Sequence, residues 1–102
     1  MSIQDVTLSI QTDRSQYLSG DNVTITVTAK QGESPITQEN LKLYVFAPDG
    51  KKKFTASLRT DNYGKAIALY RLQKKDDSGS YYIEVQNQDR FLALSSFIVL
   101  AE

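Results

Sequence analysis

The sequence predicts an all-β protein whose seven antiparallel strands form a sandwich of two sheets. Side chains alternate between apolar and polar over seven short segments, which is the period of half-buried strands. Asp, Gly and Pro residues separate these segments at short intervals, and no segment shows the period of a helix. The chain has 102 residues, the length of one such sandwich. We therefore expect a single domain over residues 1–102 that was taken from a larger protein.

The first three strands are predicted at about residues 5–12, 22–30 and 41–47. The second strand shows the clearest alternation, because threonine occupies its outer face and combines β-branching with polarity. Residues 13–21 are predicted as a polar linker, and residues 31–35 as a loop. The proposed inward side chains are Val6, Leu8 and Ile10, then Val23, Ile25, Val27 and Ala29, then Leu41, Leu43, Val45 and Ala47.

The last four strands are predicted at about residues 53–60, 65–72, 80–87 and 91–100. Two sets of side chains in the fifth strand could face inward: Ala66, Ala68, Tyr70 and Leu72, or the offset pair Ile67 and Leu69. The first set is favoured because it continues to Leu72. The seventh strand is apolar on both faces, which predicts cover on both sides or a bulge that switches faces. The proposed inward side chains are Phe54, Ala56 and Leu58, then Ala66, Ala68, Tyr70 and Leu72, then Tyr81, Ile83 and Val85, then Phe97 and Val99.

The composition excludes several classes of function. There is no cysteine, so neither a disulfide nor a thiolate metal site can form, and there is no histidine to act as a general base. Twelve basic residues balance twelve acidic ones, which removes the usual electrostatic signal for binding nucleic acid or an anionic membrane. No apolar run approaches the ~20 residues that span a bilayer, so no membrane insertion is expected. The first residues lack a secretory signal, and a signal would lie outside this segment.

Five acidic residues in predicted loops are candidate calcium ligands, because Ca²⁺ prefers several carboxylate oxygens. No D-x-D-x-D spacing is present, and each acid has the position of a turn residue, which is the interpretation we prefer. The chain also lacks a serine–histidine pair and a G-x-S-x-G motif. We therefore predict no enzyme activity, no cofactor and no metal. The acids are Asp49, Asp61, Asp76, Asp77 and Asp89.

Three aromatic side chains are predicted to point outward from one sheet. Because strand residues alternate, inward neighbours force Tyr44, Phe46 and Tyr82 to face away from the core. If the third, sixth and seventh strands share a sheet, these residues form one apolar outer surface together with Leu94 and Ile98. Such a surface often marks a partner site. The alternatives are that a loop covers it, or that the aromatic pairs simply stabilise the sheet.

Several motifs resemble those of macroglobulin-type immunoglobulin-like domains and occur in the same order; bacterial and archaeal immunoglobulin-like surface repeats are similar. The resemblance implies an immunoglobulin-like β-sandwich in which Tyr81 is the corner tyrosine and Ile83 replaces a disulfide cysteine. Ser19 departs from the family, which usually has proline there. The family's thioester and bait region lie in other domains, so no protease trapping is implied. The motifs are Thr12-Asp13-Arg14, Tyr17, Gly20-Asp21, residues 23–27, Pro48-Asp49-Gly50, Thr60-Asp61-x-x-Gly64-x-Ala66, Gly79-x-Tyr81-x-Ile83-x-Val85 and Phe97-x-Val99.

These observations predict a non-catalytic immunoglobulin-like module of a larger extracellular or cell-surface protein, serving as a spacer and a protein-interaction, or adhesion, surface. The expected partners are neighbouring domains of the same chain or another protein. The alternative is a carbohydrate-binding accessory module of a secreted enzyme, with a glycan as partner. Coplanar aromatic rings beside polar donors would favour the glycan, and rings packed under Leu94 and Ile98 would favour the protein partner. Asn22-Val23-Thr24 also fits the N-glycosylation sequon.

Overall fold

The computed structural model of the chain describes residues 6–87 and 92–101, and the regular elements in those ranges are all β-strands. Seven long strands match the seven predicted ones. Two further strands of two residues each lie in segments that were predicted as linker and loop, so the predicted count was too low. The strands are β1 (Val6–Thr12), β2 (Gln16–Tyr17), β3 (Asn22–Gln31), β4 (Ser34–Pro35), β5 (Asn40–Phe46), β6 (Lys52–Arg59), β7 (Lys65–Arg71), β8 (Gly79–Asn87) and β9 (Leu92–Val99).

The strands form two sheets that enclose the core. In the first sheet β3 pairs with β1 on one side and β7 on the other, and β4 pairs with the end of β3. The second sheet has the order β2-β9-β8-β5-β6. The pairs are antiparallel except β2 with β9, where Gln16 lies opposite Ile98 in a parallel pair. The prediction that the third, sixth and seventh long strands share a sheet is confirmed, because β5, β8 and β9 are adjacent.

The core consists of alternate residues from the long strands, as the sequence predicts. On β7 the favoured inward set is confirmed, since Ala66, Ala68 and Tyr70 are buried. Tyr70 also contacts the opposite sheet, with its ring centroid 5.1 Å from that of Phe54 on β6. The largest fully buried side chains are Tyr17, Tyr81, Phe97, Ile25, Leu41, Leu43, Leu72, Ile83, Val23, Val27, Val45 and Val85.

Three aromatic rings pack together where β2, β8 and β9 meet. Phe97 lies between Tyr81, stacked at a centroid distance of 5.3 Å, and Tyr17, edge-on at 5.4 Å. The hydroxyl of Tyr81 donates a 2.7 Å hydrogen bond to the carbonyl oxygen of Asp77, four residues upstream, so the predicted corner tyrosine is confirmed. Burial of Tyr17 explains β2, because the ring draws its segment against β9 despite the polar residues around it.

The prediction for the last strand was wrong. The register between β8 and β9 runs without interruption from Gly79 opposite Val99 to Gln86 opposite Leu92, so the pair contains no bulge. Phe97 and Val99 are buried, whereas the outward residues of β9 are exposed rather than covered. One face of this strand therefore fills the core, and the other presents apolar side chains to solvent.

Candidate functional site

The outer face of β5, β8 and β9 carries the five residues predicted as an interaction surface, and Tyr82 lies at their centre. Phe46 is its direct neighbour across the β5–β8 pair. Tyr44, Leu94 and Ile98 each lie two residues from a direct partner of Tyr82, which places them on the diagonals, at about 7–8 Å. We call these five residues the outer patch.

The outer patch is partly open to solvent. Tyr82 is 53% exposed, Leu94 75% and Ile98 42%. Tyr44 and Phe46 are half-buried, and their ring centroids are 6.3 Å apart with the ring planes at 36°. The two half-buried rings thus support each other on the sheet, while Tyr82 and the two β9 residues are available for contact.

Polar residues interrupt the outer patch, which the sequence did not predict. Glu84 lies between Tyr44 on one neighbouring strand and Leu94 on the other, and Ser96 lies opposite Tyr82. Apolar and polar side chains therefore alternate across the sheet. The centres of protein interfaces are rich in aromatic residues such as Tyr82, whereas Glu and Ser are depleted there, so Glu84 and Ser96 divide the apolar surface into smaller parts.

The geometry around Tyr44 does not favour the stacking of a sugar. The ammonium of Lys52 lies 4.6 Å from the centre of the Tyr44 ring, a cation–π distance that occupies one ring face. The planes of Tyr44 and Phe46 are tilted rather than coplanar. Leu94 and Ile98 lie on the diagonals on either side of Tyr82, and Tyr82 remains half-exposed beside them. The coplanar rings that would favour the glycan are therefore absent at Tyr44 and Phe46.

A second outward apolar pair lies on the opposite sheet and was missed as a surface feature. Ile67 is 61% exposed and Leu69 is 68% exposed, both on β7. The sequence could have predicted this pair, because an inward set of Ala66, Ala68 and Tyr70 requires the residues between them to face outward.

Three of the described loop acids, Asp49, Asp61 and Asp76, act as turn residues, as predicted. Oδ1 of Asp61 accepts the backbone N–H groups of Lys65 at 3.0 Å and Tyr63 at 2.8 Å, and these hydrogen bonds hold its pKa below the ordinary value. Asp49 and Asp76 accept similar bonds from backbone N–H groups two and three residues away.

Within residues 6–87 and 92–101 no group of three or more acidic, histidine or cysteine side chains could hold a metal ion. The same ranges contain no helix long and apolar enough to cross a membrane. Asp89 lies outside the described residues. Asn22 is the exposed first residue of β3, and its glycosylation stays a prediction.

Comparison with known proteins identifies the fold. A family model described as the MG2 domain matches residues 7–99. The structure is similar to Salmonella alpha-2-macroglobulin reacted with methylamine, with a TM-score of 0.85 and 20% identity over 95% of this chain and 6% of that one. It is similar to native Escherichia coli alpha-2-macroglobulin, with a TM-score of 0.84 and 20% identity over 98% of this chain and 6% of that one. No curated protein matches.

The same fold occurs in a protein of a different kind. A Pseudomonas fluorescens alkylpurine DNA glycosylase, bound to DNA, has a TM-score of 0.65 and 12% identity over 96% of this chain and 31% of that one. This chain thus spans less than a third of each of these structures. Identities of 20% or less show the fold alone, so function has to be argued from the surface.

Proposed function

Because the chain belongs to the MG2 domain family, we propose that it is an immunoglobulin-like spacer whose outer patch docks against a neighbouring protein surface. The family match and the likeness to bacterial alpha-2-macroglobulin support a non-catalytic module of a larger protein. The interaction role is the further step, and the position of Tyr82 at the centre of the outer patch is the observation that carries it.

The composition of the outer patch suits a protein partner. Tyr82 is a large, half-exposed side chain on a rigid strand, and tyrosine is among the residues that dominate binding energy at interfaces. A partner surface that covers Tyr82 would also remove Leu94 and Ile98 from water. Glu84 offers a charged group at the same place for selecting the correct partner.

A neighbouring domain of the same chain is the partner we propose. In the two alpha-2-macroglobulins, the matching segment is 6% of the chain, so most of such a chain lies outside the match and could supply a neighbouring domain. A domain connected by a short linker is present at a high effective concentration, and a modest apolar surface is then enough for stable contact. The adhesion role predicted from sequence would use the same surface on another protein.

Footprinting of tyrosine side chains tests this proposal. We would expose the isolated 102-residue chain and the longer parent protein to hydroxyl radicals and measure modification at each tyrosine by mass spectrometry. Tyr82 should be several-fold less reactive in the parent protein. Tyr63, which is exposed at the turn between β6 and β7, is the control and should react equally in both. Equal reactivity of Tyr82 in the two proteins would contradict docking at the outer patch.

Substitution at the centre of the patch gives a second measurement. In the parent protein, Tyr82→Ser should weaken the contact, and the loss of binding free energy should be about 2 kcal/mol if Tyr82 dominates the interface. Leu94 should then react faster with hydroxyl radicals. Tyr63→Ser is the matched control and should leave Leu94 protected. The double variant Tyr44→Ser with Phe46→Ser should remain folded at room temperature. If it unfolded, these two rings would belong to the structural core rather than to the patch.

The proposal also includes a location for the parent protein and a non-catalytic role for this chain. We place the module outside the cell or at its surface, and labelling of intact cells with a membrane-impermeant biotin reagent would test that. The proposal assigns no catalytic step to this chain, which contains no histidine or cysteine.

Glycan binding is the competing function. Binding of the isolated chain to a glycan array would support glycan binding over docking if Tyr82→Ser abolished it.

A further inference from the structure

β7 is an edge strand with an unusual outer face. Among the described residues, β3 is the strand that pairs with β7, so no strand is hydrogen-bonded to the other edge of β7. Its register with β3 is continuous from Asn22 opposite Arg71 to Thr28 opposite Lys65, without a bulge. β7 also contains no proline. On the side away from β3, the backbone N–H and C=O of Lys65 already bind Asp61, and the backbone groups of Ile67, Leu69 and Arg71 can receive another extended segment.

Two other edge strands, β1 and β6, lack the outward apolar pair that β7 carries. The outward residues of β1 are polar: Thr7, Ser9 and Gln11. β6 faces outward with charged and hydroxyl side chains, and the register irregularity of the second sheet lies in its pairing with β5. Charges and bulges of this kind prevent edge-to-edge association. On β7, by contrast, Ile67 and Leu69 face solvent at the middle of the strand.

We propose that β7 binds an extended protein segment as an added strand, and that this segment carries two apolar residues at alternate positions between acidic residues. Lys65 and Arg71 stand at the two ends of the outward row, and Ile67 and Leu69 stand between them. An added strand places its side chains directly opposite these four residues. Acidic groups would then face the two cations, and apolar groups would extend the surface of Ile67 and Leu69.

The charges argue against a second copy of this chain as the occupant. If two β7 strands paired antiparallel about Ala68, Lys65 of one copy would lie opposite Arg71 of the other at both ends. Like charges directly opposite each other destabilise a strand pair. Because Lys65 and Arg71 are both positively charged, a strand with an acidic residue at each end can pair with β7 in either the parallel or the antiparallel direction.

A synthetic peptide tests the proposal directly. The probe is a blocked peptide, Asp-Thr-Val-Thr-Val-Thr-Asp, whose alternate residues match the outward row of β7. It is titrated into the isotope-labelled chain and followed by NMR. We expect shift changes concentrated in β7, with binding that weakens as salt is added. A peptide with lysine at both ends, and one with alternate N-methylated residues, should both fail to bind.

Matched variants separate this surface from the outer patch. Ile67→Thr with Leu69→Thr keeps strand propensity, which is checked by circular dichroism, and should weaken peptide binding about tenfold. Leu92→Thr with Leu94→Thr removes an equally exposed apolar pair from β9 and should not change binding. The proposal is overturned if shifts appear on β8 and β9 instead, if the lysine or N-methylated peptide binds equally well, or if the acidic peptide produces no shifts in β7.

Discussion

The phenolic hydroxyl of Tyr17 donates a 2.6 Å hydrogen bond to Oδ1 of Asp13. The same carboxylate oxygen accepts the backbone N–H of Thr24 at 3.1 Å, and the hydroxyl accepts the N–H of Arg14 at 2.9 Å. These contacts connect the buried ring on β2 to the end of β1 and the start of β3. They give a physical reason for an aspartate and a tyrosine four residues apart in the opening motif of the chain.

Removing the hydroxyl of Tyr17 should destabilise the fold measurably. Tyr17→Phe keeps the ring against Phe97 but leaves Oδ1 of Asp13 and the N–H of Arg14 without this partner. We expect a loss of about 1–2 kcal/mol in the free energy of unfolding, measured by urea denaturation. Tyr63→Phe is the control, because Tyr63 is exposed and its variant should unfold like the wild type. Equal stability of the two variants would mean that the hydrogen bonds contribute nothing net.

The aspartates of two turns should make the chain sensitive to acid. The hydrogen bond from the Tyr17 hydroxyl, followed by the N–H of Thr24, holds the pKa of Asp13 below 3.8, and backbone N–H groups do the same for Asp61. Because the folded pKa is depressed, this stabilisation is present above the unfolded value and is lost as pH falls below about 4. Asp13→Asn with Asp61→Asn should therefore show a smaller decrease in urea midpoint between about pH 5 and pH 3. An unchanged pH dependence would exclude these two groups as its source.

The regular part of the fold could be predicted because its signal is local. Alternation along β3 and β7 identifies the inward residues from each strand alone. β2 and β4 could not be predicted in this way, since two residues carry no period. β2 exists because the Tyr17 ring packs against Phe97, about 80 residues later in the sequence, and that contact depends on the tertiary structure.

The candidate site was predicted less completely than the fold. Alternation shows that Tyr44 and Tyr82 face outward, but it does not say which residue of the next strand lies beside each one. That depends on register, which turn geometry and core packing set together. The register places Glu84 between Tyr44 and Leu94, and a shift of register near Phe46 brings Lys52 over the Tyr44 ring.

Buried tyrosines should limit stability in alkali. Burial raises the pKa of Tyr70 to about 12, and the nearby carboxylate of Asp76 adds to the effect. Burial likewise raises the pKa of Tyr81 to about 12. The resulting stability is complete below the unfolded value near 10 and is lost between about pH 10 and pH 12. We expect the phenolate absorbance of both residues to appear together with unfolding.

Phenylalanine variants separate the two buried tyrosines. Tyr70→Phe keeps the ring contact with Phe54 and removes one ionisable group, so it should unfold at a higher pH than the wild type. Tyr81→Phe also loses the hydrogen bond to Asp77 and should be about 1 kcal/mol less stable at neutral pH. Ionisation of both residues in a chain that remains folded, as judged by circular dichroism, would contradict this prediction.

Replacement of Gly64 should be the most damaging glycine substitution in a turn of this chain. A Cβ at Gly64 would lie 2.6 Å from the carbonyl oxygen of Ala29 and 2.9 Å from Cβ of Pro35, and its φ of +75° is unfavourable for alanine. The Gly64 carbonyl also accepts the N–H of Ala29 at 2.8 Å, so the turn cannot move away without losing that bond. Gly64→Ala should cost more than about 3 kcal/mol. Gly50 has a φ of +87°, and a Cβ added there would lie in open space. Gly50→Ala therefore measures the cost of the positive φ alone, which should be about 1 kcal/mol. Equal losses in urea denaturation would show that the close approach at Gly64 adds nothing to the strain at positive φ.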